Sequence, residues 1–131
     1  GVPASRLRMQ VAGDLPELWL DPDKIDQVLG NLLENAVRHG AGTVTIAVQA
    51  IPGGAAVTVS DEGPGIPPEV AARVFKKFWR GNRRPGGTGL GLYIAKGLVE
   101  AHGGSIEVER GTAGGASFRF TVPAGAPDFA R

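Results

Sequence analysis

DPDKIDQVLGNLLENAVRHG, residues 21–40, carries two independent helix signals in one stretch. Asp21-Pro22 reads as an N-cap followed by proline at the first helical position, where the fixed φ suits the helix and the missing N–H has no intrahelical bond to lose. From Asp23 to His39 the apolar residues Ile25, Val28, Leu29, Leu32, Leu33, Ala36 and Val37 recur three and four apart, which builds one apolar face. Gly40 and Gly42 stop the helix. Asn31, Asn35 and Arg38 run along the border of that face at i, i+4 and i+7, where the helix leaves the core and a cleft would form. Amide oxygens suit a hard cation and a guanidinium suits phosphate. A solvated helix flank explains the same three residues when the helix is taken alone. Glu34 falls on the outer side of the wheel and reads as a surface residue.

Outward from this helix, Arg6 to Val11 alternates as a half-buried strand, and Glu17 to Leu20 makes a short extended run after Pro16. On the other side, Thr43 to Gln49 and Ala55 to Ser60 alternate as two strands joined around Pro52-Gly53-Gly54. Pro67-Pro68-Glu69 opens a short helix through Val74, and the aromatic-rich run Phe75 to Trp79 precedes a charged, glycine-containing loop. Gly89 to His102 is a second amphipathic helix with Leu90, Ile94, Leu98 and Ala101 on one face, ended by Gly103-Gly104. Ile106 to Glu109 and Ala116 to Val122 close the chain as strands, and residues from Ala124 read as a frayed tail. This order predicts one domain over 1–123 with a tail over 124–131. Its class is α+β: a two-layer sandwich in which about three helices cover one face of a mixed, mostly antiparallel sheet.

Two breaks in this pattern carry possible chemistry. Asp61-Glu62-Gly63-Pro64-Gly65 ends the central strand in a carboxylate beside backbone that a ligand can approach closely. A planar base with an exocyclic amine would suit that carboxylate, with Ile66 as an apolar wall; a tight turn capped by Asp61 accounts for the same residues. Gly86 to Leu92, GGTGLGL, follows Arg80-Gly81-Asn82-Arg83-Arg84-Pro85, a segment hostile to a strand, so a dinucleotide fingerprint is a poor fit. The run closes on Gly91-Leu92-Tyr93 and not on Gly-Lys-Ser/Thr, which excludes a P-loop. What remains is a lid feeding a helix N-terminus toward an anion, or a plain flexible linker.

Composition narrows the classes further. At 131 residues the chain suffices for one core, and a net charge of +1 with no basic run longer than the pairs Lys76-Lys77 and Arg83-Arg84 points to no nucleic-acid partner. The absence of cysteine removes disulfides and thiolate metal sites, and two histidines are too few for a His-rich one. No apolar run approaches the roughly 20 residues of a membrane span. The chain opens Gly1-Val2-Pro3 with Met9 as its only methionine, so it reads as a piece of something longer.

Together the segments resemble the ATP-binding catalytic domain of sensor histidine kinases, in the superfamily of gyrase B, Hsp90 and MutL, whose Bergerat-type fold is the two-layer sandwich above. Asn31-Leu32-Leu33-Glu34-Asn35-Ala36 is similar to that family's N box, Asp61-Glu62-Gly63-Pro64-Gly65 to its G1 box, Val74-Phe75-Lys76-Lys77-Phe78 to its F box and Gly87-Thr88-Gly89-Leu90-Gly91-Leu92 to its G2 box. The likeness runs from about Leu15 to Val122.

The resemblance implies ATP and Mg²⁺ as cofactors. Asn35 would ligate the magnesium, Asn31 would support it or a phosphate oxygen, Arg38 would contact the phosphates, and His39 would pack by the adenine or ribose. Asp61 would take the adenine amine, with Gly63, Gly65 and Ile66 shaping the pocket. Gly87, Thr88, Gly89, Leu90, Gly91 and Leu92 would form the lid and cradle of the triphosphate, with Arg80 adding a cationic contact. Ser117 resembles the late hydroxyl that closes the adenine site. Lys77 stands where the family has arginine, which removes any bidentate contact there. Catalysis would rest on Asn31, Asn35, Arg38 and Arg80.

The resemblance also sets the reaction. Gyrase-like relatives carry a water-activating glutamate four residues before the metal asparagine; this chain carries Asn31, and an amide is no general base. The γ-phosphate would therefore be kept for a histidine on a separate dimerisation domain, since neither His39 nor His102 is followed by the family's Glu/Asp-Leu-Arg phosphoacceptor pattern. A response regulator would be the partner of the full-length phosphoprotein. The fragment would be a monomeric cytoplasmic domain of a membrane-bound sensor, without membrane contact of its own. Two alternatives remain at this level: an anti-sigma serine kinase, against which the aromatic F box argues, and a binding module whose nucleotide only regulates contacts.

Overall fold

The computed structural model describes residues 7–76, 90–111 and 114–125, with the side chain of His39 left aside. Its elements are β1 (Leu7–Ala12), α1 (Pro22–His39), β2 (Val44–Ile51), β3 (Gly54–Ser60), α2 (Pro68–Ala71), α3 (Gly91–Ala101), β4 (Ile106–Arg110) and β5 (Ala116–Pro123). The sheet runs β1-β2-β3-β5-β4. β1 and β2 are parallel and every other pair is antiparallel, so the expected mixed sheet with helices on one face is present.

α1 begins where its cap chemistry dictates. Asp21 Oδ1 accepts from the N–H groups of Asp23 and Lys24 at 3.0 and 3.3 Å, filling two of the donors that a helix start leaves open. The β2–β3 hairpin turns on Pro52, whose ring fixes φ, and Gly53, whose φ of 80° an L side chain would resist. Strand alternation then sends Val44 and Ile46, Val59, and Phe118, Phe120 and Val122 toward the helices, where they pack with Val28, Leu32, Ala36, Ala95 and Val99. Each such side chain contributes about 1.5–3 kcal/mol on leaving water.

Three expectations need correction. The run Glu17 to Leu20 forms no strand; Leu18 and Leu20 pack against the core instead. α2 ends at Ala71 and continues as turns, with Arg73 N–H donating to Val70 O and Lys76 N–H to Arg73 O, which drops Val74 fully into the core. α3 starts at Gly91 with Leu90 as N-cap, and it buries Leu92, Ala95 and Val99; of the face expected to pack, Leu98 is half-buried against the core and Ala101 is exposed. α3 is apolar nearly all round, so periodicity alone does not choose its buried side. Ala124, placed in the tail by the sequence, donates its N–H to Gly53 O at 2.8 Å. Among the described residues no helix is long and apolar enough to cross a membrane.

Candidate functional site

The polar border of α1 meets α3 at one point. Asn31 is half-buried and its Nδ2 donates to Gly91 O at 3.0 Å, so the residue ties α1 to the first turn of α3 and keeps its Oδ1 as an acceptor. Asn35 lies one turn further along, also half-buried. Arg38 Nε sits 2.9 Å from Glu34 Oε1, with the two side chains 35% and 59% exposed. An i,i+4 pair on a helix flank is worth only about 0.3–0.5 kcal/mol. His39 is the last residue of the helix.

The second half of the site is the turn after β3. Asp61 is 5% exposed, one of few polar side chains so deeply placed. Its Oδ1 accepts from Gly63 N–H at 2.8 Å and its own N–H donates to Ala116 O at 3.1 Å. Glu62 fastens the turn to the end of α1: its N–H donates to Ala41 O at 2.9 Å and its Oε1 accepts from Thr43 N–H at 2.6 Å. The other oxygen of Asp61, Oδ2, has no protein partner among the described residues. No buried side-chain oxygen or nitrogen among them lacks one, so Oδ2 keeps contact with solvent. This is an acceptor held in place with one face open.

Glycines make that placement possible. A Cβ on Gly40 would stand 2.4 Å from Asp61 Cγ, one on Gly63 would stand 2.8 Å from Gly40 Cα, and one on Gly115 would stand 2.1 Å from Asp61 O and 2.5 Å from Oδ1. Backbone from three segments therefore closes on one carboxylate. Gly65, at φ 79°, takes the chain out of the turn and Ile66 packs half-buried against the core. Ser117 lies opposite Ser60 in register and places its hydroxyl 3.0 Å from that of Ser60.

The third part is the start of α3. Its first-turn N–H groups carry the positive end of the helix dipole, and no acidic side chain occupies that turn. Leu90 is half-buried and Leu92 enters the core. Lys77, Arg80, Gly87, Thr88 and Gly89 lie outside the described residues, as do Phe78, Trp79, Arg83 and Arg84. Among the described residues no group of three or more His, Asp or Glu side chains is arranged to hold a metal ion.

The sequence does not mark Gly40 and Gly115 as site residues, and it shows His102 only as a helix end without a phosphoacceptor pattern, not as a bridge between helices. His102 is 5% exposed; its Nε2 accepts from Asp21 N–H at 3.0 Å and its Nδ1 lies 2.8 Å from Leu98 O. A carbonyl can only accept and an amide N–H can only donate, so the proton sits on Nδ1. The ring thus bridges the end of α3 to the cap of α1, while Asn31 bridges the start of α3 to the middle of α1, so α3 is tied to the antiparallel α1 at both of its ends. Nothing local in the sequence names Asp21 as the partner of a histidine 81 positions away.

Comparison with known proteins places these features in a lineage. Residues 20–126 match the sequence model of the family described as histidine kinase-, DNA gyrase B- and HSP90-like ATPase. The alginate biosynthesis sensor protein KinB of Pseudomonas aeruginosa is 39% identical over 119 residues, covering 89% of this chain and 20% of that protein. The adaptive-response sensory kinase SasA of Synechococcus elongatus is 39% identical over 123 residues, covering 90% of this chain and 32% of that protein. The chain thus spans between a fifth and a third of the length of these two relatives. Among solved structures, full-length ShkA in complex with AMPPNP superposes with a TM-score of 0.80 at 34% identity over 93% of this chain and 26% of that one. The nucleotide-free catalytic domain of the histidine kinase ThkA gives 0.79 at 30% identity over 90% of this chain and 78% of that one. With the boxes in order along the sequence, a mixed five-stranded sheet and a buried aspartate at the end of its central strand, the chain belongs to the histidine kinase-, DNA gyrase B- and HSP90-like ATPase family, as a domain of the sensor histidine kinase type.

Proposed function

We propose that this domain binds ATP with Mg²⁺ between α1, the Asp61 turn and the start of α3, and donates the γ-phosphate to a histidine on a separate helical dimerisation domain. One observation carries the reading: a nearly buried carboxylate with one oxygen held and the other open to solvent, enclosed by glycine backbone. An exocyclic amine is the ligand group that such an acceptor selects, and main chain without side chains lets a flat base lie close. Gly63, Gly65 and Ile66 shape that end, and Ser117 stands across from the same turn.

At the other end, Arg38 turns from Glu34 to the phosphates, and the first N–H groups of α3, from Leu90 through Leu92, face them. The donor set fits a hard cation held mainly by phosphate and water, because the side-chain oxygens on this border are the amides of Asn35 and Asn31. Bound there, magnesium supplies charge neutralisation across the phosphate oxygens. Lys77, Arg80, Gly87, Thr88 and Gly89 complete the set as lid and root. Asn31 cannot take a proton from water, and the carboxylate next to Asn35, Glu34, is exposed on the outer flank of the helix. That favours transfer to a histidine over hydrolysis. In the parent protein the phosphoryl group then passes to a response regulator, with this chain as the cytoplasmic nucleotide-binding domain, monomeric in isolation.

The test is calorimetric titration with ATP and MgCl₂, followed by incubation with γ-labelled ATP and a supplied dimerisation domain from a relative. Saturable binding is expected, with label on the partner's histidine, and Asp61→Asn should weaken binding about 10–100-fold, the range of a hydrogen bond to a charged acceptor. Equal affinity of the variant removes Asp61 from the site. Tight nucleotide binding with no label on the partner favours a domain whose nucleotide only regulates contacts.

A further inference from the structure

β4 closes the sheet at the end opposite β1, and among the described residues it pairs with β5 alone. At every second residue its backbone N–H and C=O therefore point outward with no ladder to join. Beside this edge lies a cavity of about 1060 Å³ between the α2 segment and α3. Ile106 and Val108 of β4 border it, with Phe75, Ile94 and Leu98 from the helical side. Glu107 borders it as well, although strand alternation sends its side chain to the opposite face from Ile106 and Val108, so the cavity reaches the open edge of the strand.

Gly97 supplies an independent sign. It occupies the α3 wall of this cavity in mid-helix, where glycine costs about 0.5–1 kcal/mol relative to alanine. A Cβ there would meet nothing within 4 Å, so nothing described in this chain requires the missing side chain. Close approach of another backbone would.

We propose that an extended segment of a partner protein docks here as a sixth strand beside β4, its alternate apolar side chains entering the cavity and its intervening basic side chains facing Glu107 and Glu109. The charges fix the pattern. Glu107 and Glu109 are exposed on the outer face, and Glu107 has only a 3.9 Å approach from Arg119. The helical rim carries two lysines, Lys76 and Lys96, against one carboxylate, Glu100, with Lys96 Nζ lying 5.6 Å over the Phe75 ring, so basic groups are better placed on the outer face. A second copy of this chain fits worse: an antiparallel β4–β4 pair centred on Val108 would set Glu107 against Glu109 twice, and like charges directly opposite are destabilising.

The test uses a fluorescein-labelled KVKVKVK peptide amide and anisotropy against the whole domain. Saturable binding is expected, together with about a tenfold loss for the double variant Glu107→Lys, Glu109→Lys, whose two cross-strand charge pairs are reversed. Gly97→Leu should also lose about tenfold by filling the cavity, with circular dichroism checking its fold. Of two versions N-methylated at alternate residues, the one blocked on its β4-facing edge should not bind. Lack of saturation up to about 1 mM, the affinity scale of about −4 kcal/mol, overturns the proposal. So does equal binding of KKVVVKK, which keeps the charge and loses the alternation, or of both N-methylated versions. Peptide-reversible dimerisation in sedimentation would assign the edge to a second copy and overturn it too. None of these variants touches the Asp61 turn, so ATP titration stays unchanged whichever way the peptide result falls.

Discussion

Glycine is used differently in two regions of this molecule. Around Asp61, a Cβ on Gly40, Gly63 or Gly115 would come within 3 Å of protein atoms, so these positions are glycine because nothing larger fits. In the helical layer, a Cβ on Gly30 or Gly97 would meet nothing within 4 Å. The first set marks a place where the chain folds onto itself to hold an acceptor still. The second weakens two helices with no internal return, so its explanation lies outside the chain or nowhere. Sequence shows all of these as the same letter.

The largest effect is expected at Gly115→Ala. The new methyl would be driven against Asp61 O and Oδ1, and the atoms it meets are backbone and a pinned carboxylate, not the end of a flexible side chain. Overpacking of this kind costs about 1–3 kcal/mol and sometimes more. Thermal unfolding should drop by roughly 10 °C on the scaling for domains of this size, and adenine nucleotide binding should fall with it. A variant with unaltered melting temperature would mean that the β3–β5 end is loose, and the contrast between the two glycine sets would lose its firm half.

A smaller loss is expected at His102→Ala. Two hydrogen bonds disappear and the Asp21 N–H is left at the helix cap without its partner, which together amount to about 2 kcal/mol. Chemical denaturation reads this directly. Because the ring bridges α1 and the end of α3 while Asn31 holds the start of α3, hydrogen exchange should show opening concentrated at Asp21 and the last turn of α3. Uniform loss of protection would indicate that the helices are joined by their apolar contacts alone.

How much of this was legible follows from distance along the chain. The cap at Asp21, the proline at Pro22 and the apolar spacing of α1 are local, and the structure returns that helix to within one residue of its expected start. The G1 turn is local as well, and Asp61 stands at the end of the central strand as expected. The buried side of α3 is not legible in the sequence because Leu90, Ile94 and Leu98 are as apolar as Leu92, Ala95 and Val99; the choice is made by Asn31 reaching from α1 to Gly91 and by His102 reaching to Asp21. In the sequence Gly40 is a helix stop, and Gly115 is one more glycine in the link between two closing strands. Their role as walls of the Asp61 pocket depends on segments far apart in sequence meeting in space, and no spacing rule encodes that.

The smallest effect separates the two regions most cleanly. Replacing either open glycine by alanine removes backbone freedom from the unfolded chain and adds a good helix former, so Gly30→Ala and Gly97→Ala should each stabilise the domain by about 0.5–1 kcal/mol. Melting temperature would rise by a few degrees where Gly115→Ala lowers it. The two helix variants should agree with each other in stability, since neither methyl has a neighbour within 4 Å. They should differ in binding, because only Gly97 lines the cavity beside β4. If Gly97→Ala destabilises the chain while Gly30→Ala stabilises it, then α3 already uses that glycine internally, and the missing side chain is no sign of an approaching backbone.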